Sequence, residues 1–415
     1  MPSERFTGLA AVLEEVRRER GITQPLLIER VGLGRSVVAQ RVAELESAGL
    51  VEQDGLGPSS GGRAPRRLRL RAEAGLVLGV DIATHELVVG VADLGGTVLH
   101  TVQEQIDVAD GPGPVLESVR RMADDVLGLA GERGDLWAVG VGMPGPVAHD
   151  GDVPVALPTM PDWDRRNVLE ELTATWSVPT WIDSRVNSLA LGERRANPVA
   201  AASADMIYLG GGAGIGAAVV SEGRIIRGAR GLAGAIGHTA VPGESTALCR
   251  CGKVGCLDAV GGGLALARDA RAAAQAGRSP ALAEVLAATG TIRPLDVTRA
   301  AERGDPAARA LLHHSGLVLG GSLAMLVSVF NPDLVVVGGG LARARTLVLA
   351  AIREAVYRDA LPAATRDLRI EQSLVDEEVA GVTGAVESAL GLLFSPHHLP
   401  TVLHDRTEPR PPASA

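Results

Sequence analysis

Apolar positions in the first fifty residues recur at a helical interval. Leu9, Val12, Leu13 and Val16 share one face of a segment covering 6–20. Pro25 opens a second run, LLIERVG, and Gly32-Leu33-Gly34 makes a tight turn. Arg35 starts a third segment with Val38, Val42, Leu45 and Leu50 in register. Two short strands follow, at 50–51 and 68–72, around the flexible tip GLGPSSGGRAP. Helix, helix, glycine turn, helix and strand-loop-strand have the proportions of a winged helix-turn-helix covering 1–72.

From Leu76 the pattern alternates instead. LVLGVDIATHELVVGVADLGGTVLHTV reads as a meander of strands, followed by a helix at 114–130 and a buried strand in LWAVGVGMPGPV. A second set of the same kind begins at MIYLGGGAGIGAAVVSEGRIIRG (206–228), with helices such as 304–329 and the buried strand LVVVGGG (334–340) after it. The repetition predicts a duplicated α/β body. One lobe is expected over 73–192 together with a C-terminal helix at 376–395. A second lobe is expected over 193–375, carrying a cysteine loop and a dimerisation surface. Residues 396–415 are expected to form a disordered tail.

Composition narrows this picture. Apolar residues make up 46% of the 415 but aromatics only 2%, so the cores must be built from Val, Leu, Ile and Ala. The net charge of -9 excludes a chain that is basic throughout. Residues 1–71 nevertheless hold 12 Arg against 9 acidic residues, while the remainder holds 28 basic and 40 acidic ones. A mildly basic head on an acidic body suits a head that meets phosphates. No apolar run reaches the roughly 18 uncharged residues that cross a bilayer. The start, MPSERFTGLA, lacks an apolar signal core, so a cytoplasmic protein is expected.

In the head, the third segment would lie in the major groove with its N-terminal residues toward the base edges. Arg35, Ser36, Gln40 and Arg41 occupy those positions. Arg63 sits on the glycine tip, where it can enter a minor groove. Arg66 and Arg67 are expected on phosphates. The partner is double-stranded DNA, an inverted repeat for a dimer.

All three cysteines fall within eight residues, as Cys249-x-Cys251-x4-Cys256, with His238 eleven residues upstream. Three thiolates and an imidazole at this spacing are what tetrahedral zinc takes. Four protein ligands close the site, so the zinc is expected to be structural and to tie 238–258 together. The odd count and the absence of a secretory signal argue against disulfides.

At YLGGGAGIGAAVVSEGRIIRGARGLAGAIGHTAVPG and CRCGKVGCLDAVG the chain resembles the ROK (repressor, open reading frame, kinase) family, over residues 8–395. The resemblance is to its xylose-repressor-like regulators. It implies an actin/hexokinase-like two-lobed α/β body, structural zinc, and dimers or tetramers. Members are sugar kinases or sugar-responsive repressors with an N-terminal winged helix.

Several positions depart from the kinase pattern. The phosphate loop, D-x-G-G-T in kinases, is Asp81-Ile82-Ala83-Thr84-His85 here, so side chains fill space that phosphate needs. The stretch resembling E-N-D-x-N-x-x-A-L-G-E begins Asp183-Ser184-Arg185-Val186-Asn187, which puts Arg185 at the base position and Ser184 at the sugar-binding Asn. Arginine cannot act as a base near neutral pH. A shifted register would make Asp183 the base instead. The A-G-E-x-G-H motif has Ala235 in place of its Glu, and Asp258 replaces a further Glu. His238 survives. The candidate ligand pocket is therefore Asp183, Ser184, Arg185, Asn187, Ala235, His238 and Asp258.

The leading expectation is a regulator, a repressor of carbohydrate-related or other metabolic genes, with a body that senses a small molecule and does not phosphorylate it. Two alternatives stand beside it: an ATP-dependent sugar kinase with an added head, and a regulator answering to a non-sugar metabolite or a protein partner.

Overall fold

The computed structural model describes the chain except residues 1–2, 20, 58–63, 132, 149–152, 155–159, 213, 244–245, 341–344 and 408–415. The head comprises α1 (Glu4–Arg18), β1 (Ile22–Thr23), α2 (Gln24–Val31), α3 (Arg35–Ser47), β2 (Val51–Leu56) and β3 (Arg66–Leu70). The helical face of α1 is the buried one: Leu9, Leu13 and Val16 are at most 1% exposed. Each such burial stabilises by about 1.5–3 kcal/mol. Pro25 stands at the start of α2, where a missing N–H costs nothing. The strand β1 was not visible in the apolar pattern, because two residues carry no period. It pairs Ile22 with Leu68, giving a three-stranded wing in the order β1-β3-β2.

The first lobe of the body has β4 (Leu76–Ile82), β5 (Glu86–Asp93), β6 (Val98–Gln105), α4 (Pro112–Ala130), β7 (Leu136–Met143), β8 (Thr180–Ser184) and α5 (Arg185–Ala196). The second has β9 (Met206–Gly211), β10 (Ile215–Ser221), β11 (Arg224–Ile225), α6 (Gly263–Gln275), α7 (Pro306–Phe330), β12 (Leu334–Gly339), α8 (Arg345–Asp359) and β13 (Arg369–Gln372). Both sheets are five-stranded, ordered β8-β7-β4-β5-β6 and β11-β10-β9-β12-β13. Read in one direction, each runs third, second, first, fourth, fifth. In each the first three strands form an antiparallel meander, and the last two lie parallel to the first. This is the duplicated unit that the repeated pattern implied.

The chain then returns to the first lobe as α9 (Glu377–Leu393), which lies on β4 and β7 and crosses α5. After it the structure departs from expectation. Residues 399–407 form a further helix, α10 (Leu399–Thr407), rather than a disordered tail. Leu399 is fully buried, and His398 stands edge-on to Trp181 with ring centroids 5.2 Å apart. Val402 and Leu403 pack against the same core as Leu399, so the apolar face is little more than one turn long, too short to stand out from the prolines and histidines around it.

A second difference concerns α7. It is long and apolar enough, by length and composition, to cross a membrane. Its Leu312, Leu319, Leu323 and Val327 instead fill the core of the second lobe. Leu9, Leu13 and Val16 of the head share one hydrophobic core with Ala138 of the first sheet and with Val386, Leu390 and Leu393 of α9. The head is thus packed into the body rather than tethered to it.

Candidate functional site

On the head, α3 turns Val38, Val42 and Leu45 inward and leaves Arg35, Ser36 and Gln40 exposed at its N-terminal end. Gly34 caps the helix, so no side chain screens this end. Arg41 does not join them. Its guanidinium donates to Glu44 at 2.8 Å and its side chain is 13% exposed. On the wing, Arg66 is exposed, whereas Arg67 is half-buried and donates from Nε to the Gly21 carbonyl at 3.1 Å. Arg63 lies outside the described residues.

In the body, a cleft of about 400 Å³ opens between the carboxyl ends of the two sheets. That is where ligands enter α/β folds of this kind. Ala83 and Thr84 line it after β4, Ser184 at the end of β8 with Arg185 next to it, and Gly210, Gly211, Gly212, Gly214 and Gly216 from the second lobe. Ala235, His238 and Asp258 line it as well. The predicted pocket residues Asp183 and Asn187 do not line the cleft but sit buried behind it.

Arg185 is the centre of this site. Its Nε and Nη2 grip both oxygens of Asp81 at 2.8 and 3.0 Å, and Nη1 donates to Glu377 at 2.6 Å. Such a bidentate fork is the strong form of an Arg–carboxylate pair. Burial works to lower the Arg185 pKa, but the charges of Asp81 and Glu377 outweigh it and hold the group above its ordinary value. Asp81 is 1% exposed, and its burial pushes the carboxyl above the usual range against the pull of Arg185. Asp183 is equally committed. Its Oδ1 accepts from the Ser184 amide and from Asn187, and its Oδ2 accepts from Arg227 at 2.8 Å. Asp258 accepts from the Ile215 amide at 2.6 Å, which fixes the glycine hairpin. Glu377 and Arg227 were missed from sequence. They lie far along the chain from their partners, and nothing local marks them.

The glycines of the second lobe have structural work of their own. Gly339 has φ of 76°, and a Cβ there would strike the backbone of Gly211. That contact demands glycine whether or not a phosphate binds.

Beside the cleft, His238, Cys249, Cys251 and Cys256 converge, with one ligand atom of each within 4.8 Å of the others. Cys249 Sγ is 3.6 Å from His238 Nδ1, and Cys251 Sγ is 3.6 Å from Cys256 Sγ. Donors around a tetrahedral ion at about 2.1–2.3 Å stand at such separations. The donor set and its spacing therefore fit a metal ion.

The ROK family profile matches residues 77–390, and a winged helix-turn-helix DNA-binding profile matches 11–52. The chain belongs to the ROK family. A xylose repressor of Caldicellulosiruptor bescii is 25% identical over 392 residues, covering 92% of this chain and 95% of that protein. A glucokinase of Streptomyces coelicolor is 30% identical, covering 68% of this chain and 88% of that protein. Among solved structures, a ROK family transcriptional regulator, a homolog of the E. coli MLC protein, superposes with a TM-score of 0.80 at 21% identity, covering 96% of this chain and 99% of that one. A ROK family glucokinase from Streptomyces griseus, in complex with glucose and AMPPNP, gives 0.66 at 27% identity, covering 76% and 99%. The repressor and regulator matches thus cover more than nine-tenths of this chain, and the two glucokinase matches about two thirds to three quarters of it. A ROK body joined to a winged helix-turn-helix makes this chain a DNA-binding transcriptional regulator.

Proposed function

We propose that this ROK-family regulator is a repressor whose body binds a small molecule and does not phosphorylate it. The observation that carries the second half is Arg185. It stands where the kinases place their base, and two carboxylates hold it charged. A guanidinium in that state takes no proton from a sugar hydroxyl. The shifted register offers no better base, because both oxygens of Asp183 are already engaged. Ala83 and Thr84 stand where the kinase loop has glycines, and Ala235 offers no group to hold a sugar hydroxyl. The kinase reading rests on the glucokinase relatives alone.

Arg35, Ser36 and Gln40 would read base edges, with Arg66 on phosphate and Arg63 reaching into the minor groove. The four-residue cluster would hold a structural zinc ion, fastening the 238–258 loop beside the cleft. A homodimer would set two heads on an inverted repeat. Support for it comes from the end of α7, where Met325 and Val329 are 60% and 69% exposed beside Phe330. Such a protein would work in the cytoplasm. The effector would be a sugar or another metabolite of the size of the cleft; an apolar rim including Leu248 and Leu264 leaves room for a less polar ligand than glucose.

Two measurements test the proposal together. The protein should select an inverted-repeat duplex from a random DNA library. It should release no ADP above background with ATP and a panel of hexoses and pentoses. Turnover on any of these sugars, abolished by Asp183→Asn, overturns the kinase-inactive reading.

A further inference from the structure

Two helices run from the cleft to the head. At the cleft end, Arg185 opens α5 and Glu377 opens α9, and the two are bonded at 2.6 Å. At the head end, Arg195 Nε of α5 lies 3.2 Å from Glu387 Oε1 of α9, and Arg17 of α1 donates to Glu387 Oε2 at 2.9 Å. On both helices the two contacts are ten residues apart, or about 15 Å along the axis. The head contact is withdrawn from solvent, with the Arg17 and Glu387 side chains only 10% and 11% exposed.

Between these ends α9 has little freedom. Residues Ala380–Val386 are all buried. A Cβ on Gly381 would enter the Asp81 carboxylate, and one on Gly384 would enter the Ser188 carbonyl of α5. Past Glu387, the side chains of Leu390 and Leu393 share a core with Leu9 and Leu13 of α1. A close-packed helix of this kind transmits a displacement at one end to the other, since interiors are stiff.

We infer that α9 is the strut coupling the cleft to the DNA-reading head, with Glu377 as its sensing end and Glu387 as the residue that positions α1. The inference rests on the regulator reading proposed above. An effector group that takes the Arg185 guanidinium from Glu377 frees the first turn of α9. The seat of α1 at the far end shifts with it, and the ligand acts through its different affinity for the two arrangements.

The test uses the full chain and an operator selected by the unmodified protein from random duplexes. Glu377→Gln, Arg17→Met and the double variant are compared by operator affinity and by hydrogen exchange along α1. Glu378→Gln serves as the matched loss of charge. Glu377→Gln is expected to speed exchange in α1 and to change operator affinity by at least about fivefold, the low end of coupling between sites. Arg17→Met should do the same, and the double variant should add nothing to the larger single effect. Exchange in β4 and β7 should stay as it was, and Glu378→Gln should change neither readout. Unchanged α1 exchange and affinity in Glu377→Gln would overturn the inference, as would effects of the two variants that multiply. Should β4 and β7 loosen too, Glu377→Asp, which keeps the charge and shortens the reach, replaces it under the same criteria. If the unmodified protein selects no operator, the regulator reading fails, while the exchange measurements still decide the strut.

Discussion

The cleft and the recognition helix treat their polar side chains in opposite ways. Around the cleft, Arg185 and Arg227 are each bound to a carboxylate, and Asp258 is spent on a backbone amide. On α3, Arg35, Ser36 and Gln40 are exposed, and among the described residues none has a polar partner. A charge that is already paired and buried holds structure together; a polar group left bare at the surface is available to a partner. In the body, therefore, these polar groups serve as internal connections, whereas those on the head are left open to a partner. Changes in the first region should register as stability, and changes in the second as DNA recognition.

The largest effect is expected at the cysteine cluster. If it holds zinc, Cys251→Ser removes one of four ligands, the ion is lost, and the 238–258 loop comes free. Metal analysis should fall from one zinc per chain to none, and the melting temperature should drop by about 10 °C or more. A variant that keeps its zinc would exclude Cys251 as a ligand.

Next comes Arg185→Ala. It leaves Asp81 buried, at 1% exposed, without its cation. Removing one partner of a buried pair costs about 3–5 kcal/mol. The urea midpoint should fall accordingly, and the double change Asp81→Ala with Arg185→Ala should recover part of the loss. A midpoint unchanged in the single variant would mean that the pair carries no stability, and the contrast between the two regions would collapse.

What could be read from the sequence follows from how far each signal travels along the chain. The head was legible because Leu9, Val12, Leu13 and Val16, and then Val38, Val42 and Leu45, repeat within single helices. The duplicated body was legible because two valine-rich meanders share a pattern. The cysteine cluster was legible because its four side chains lie within twenty residues and converge on one point. Arg185 was recognised as misplaced, but its partners were not. Asp81 and Glu377 lie 104 and 192 residues away, and no local period links residues on different elements. The packing of the head into α9 escaped notice for the same reason, since Arg17 and Glu387 are 370 residues apart. The tail was misread because its apolar face, Leu399, Val402 and Leu403, spans little more than one helical turn.

The smallest effects, and the sharpest test of the contrast, come from two neighbours on α3. Gln40 and Arg41 are adjacent, and both were expected on DNA. The structure separates them, because successive residues on a helix point about 100° apart. Gln40 is exposed, while Arg41 turns back toward Glu44 with its Nε buried and unbonded. Gln40→Ala should leave the melting temperature alone and lose about 1–3 kcal/mol of discrimination at one base pair, the worth of a good bidentate contact. Arg41→Ala should do the reverse. It should cost roughly 0.5–1 kcal/mol of stability, as expected for a partly exposed pair, and leave base preference as it was. Binding to single-base operator variants, measured for both proteins beside their thermal melts, decides between the two. If Arg41→Ala relaxes base preference and Gln40→Ala does not, the pairing with Glu44 gives way when DNA docks. Pairing in the free protein would then no longer mark which side chains are spoken for.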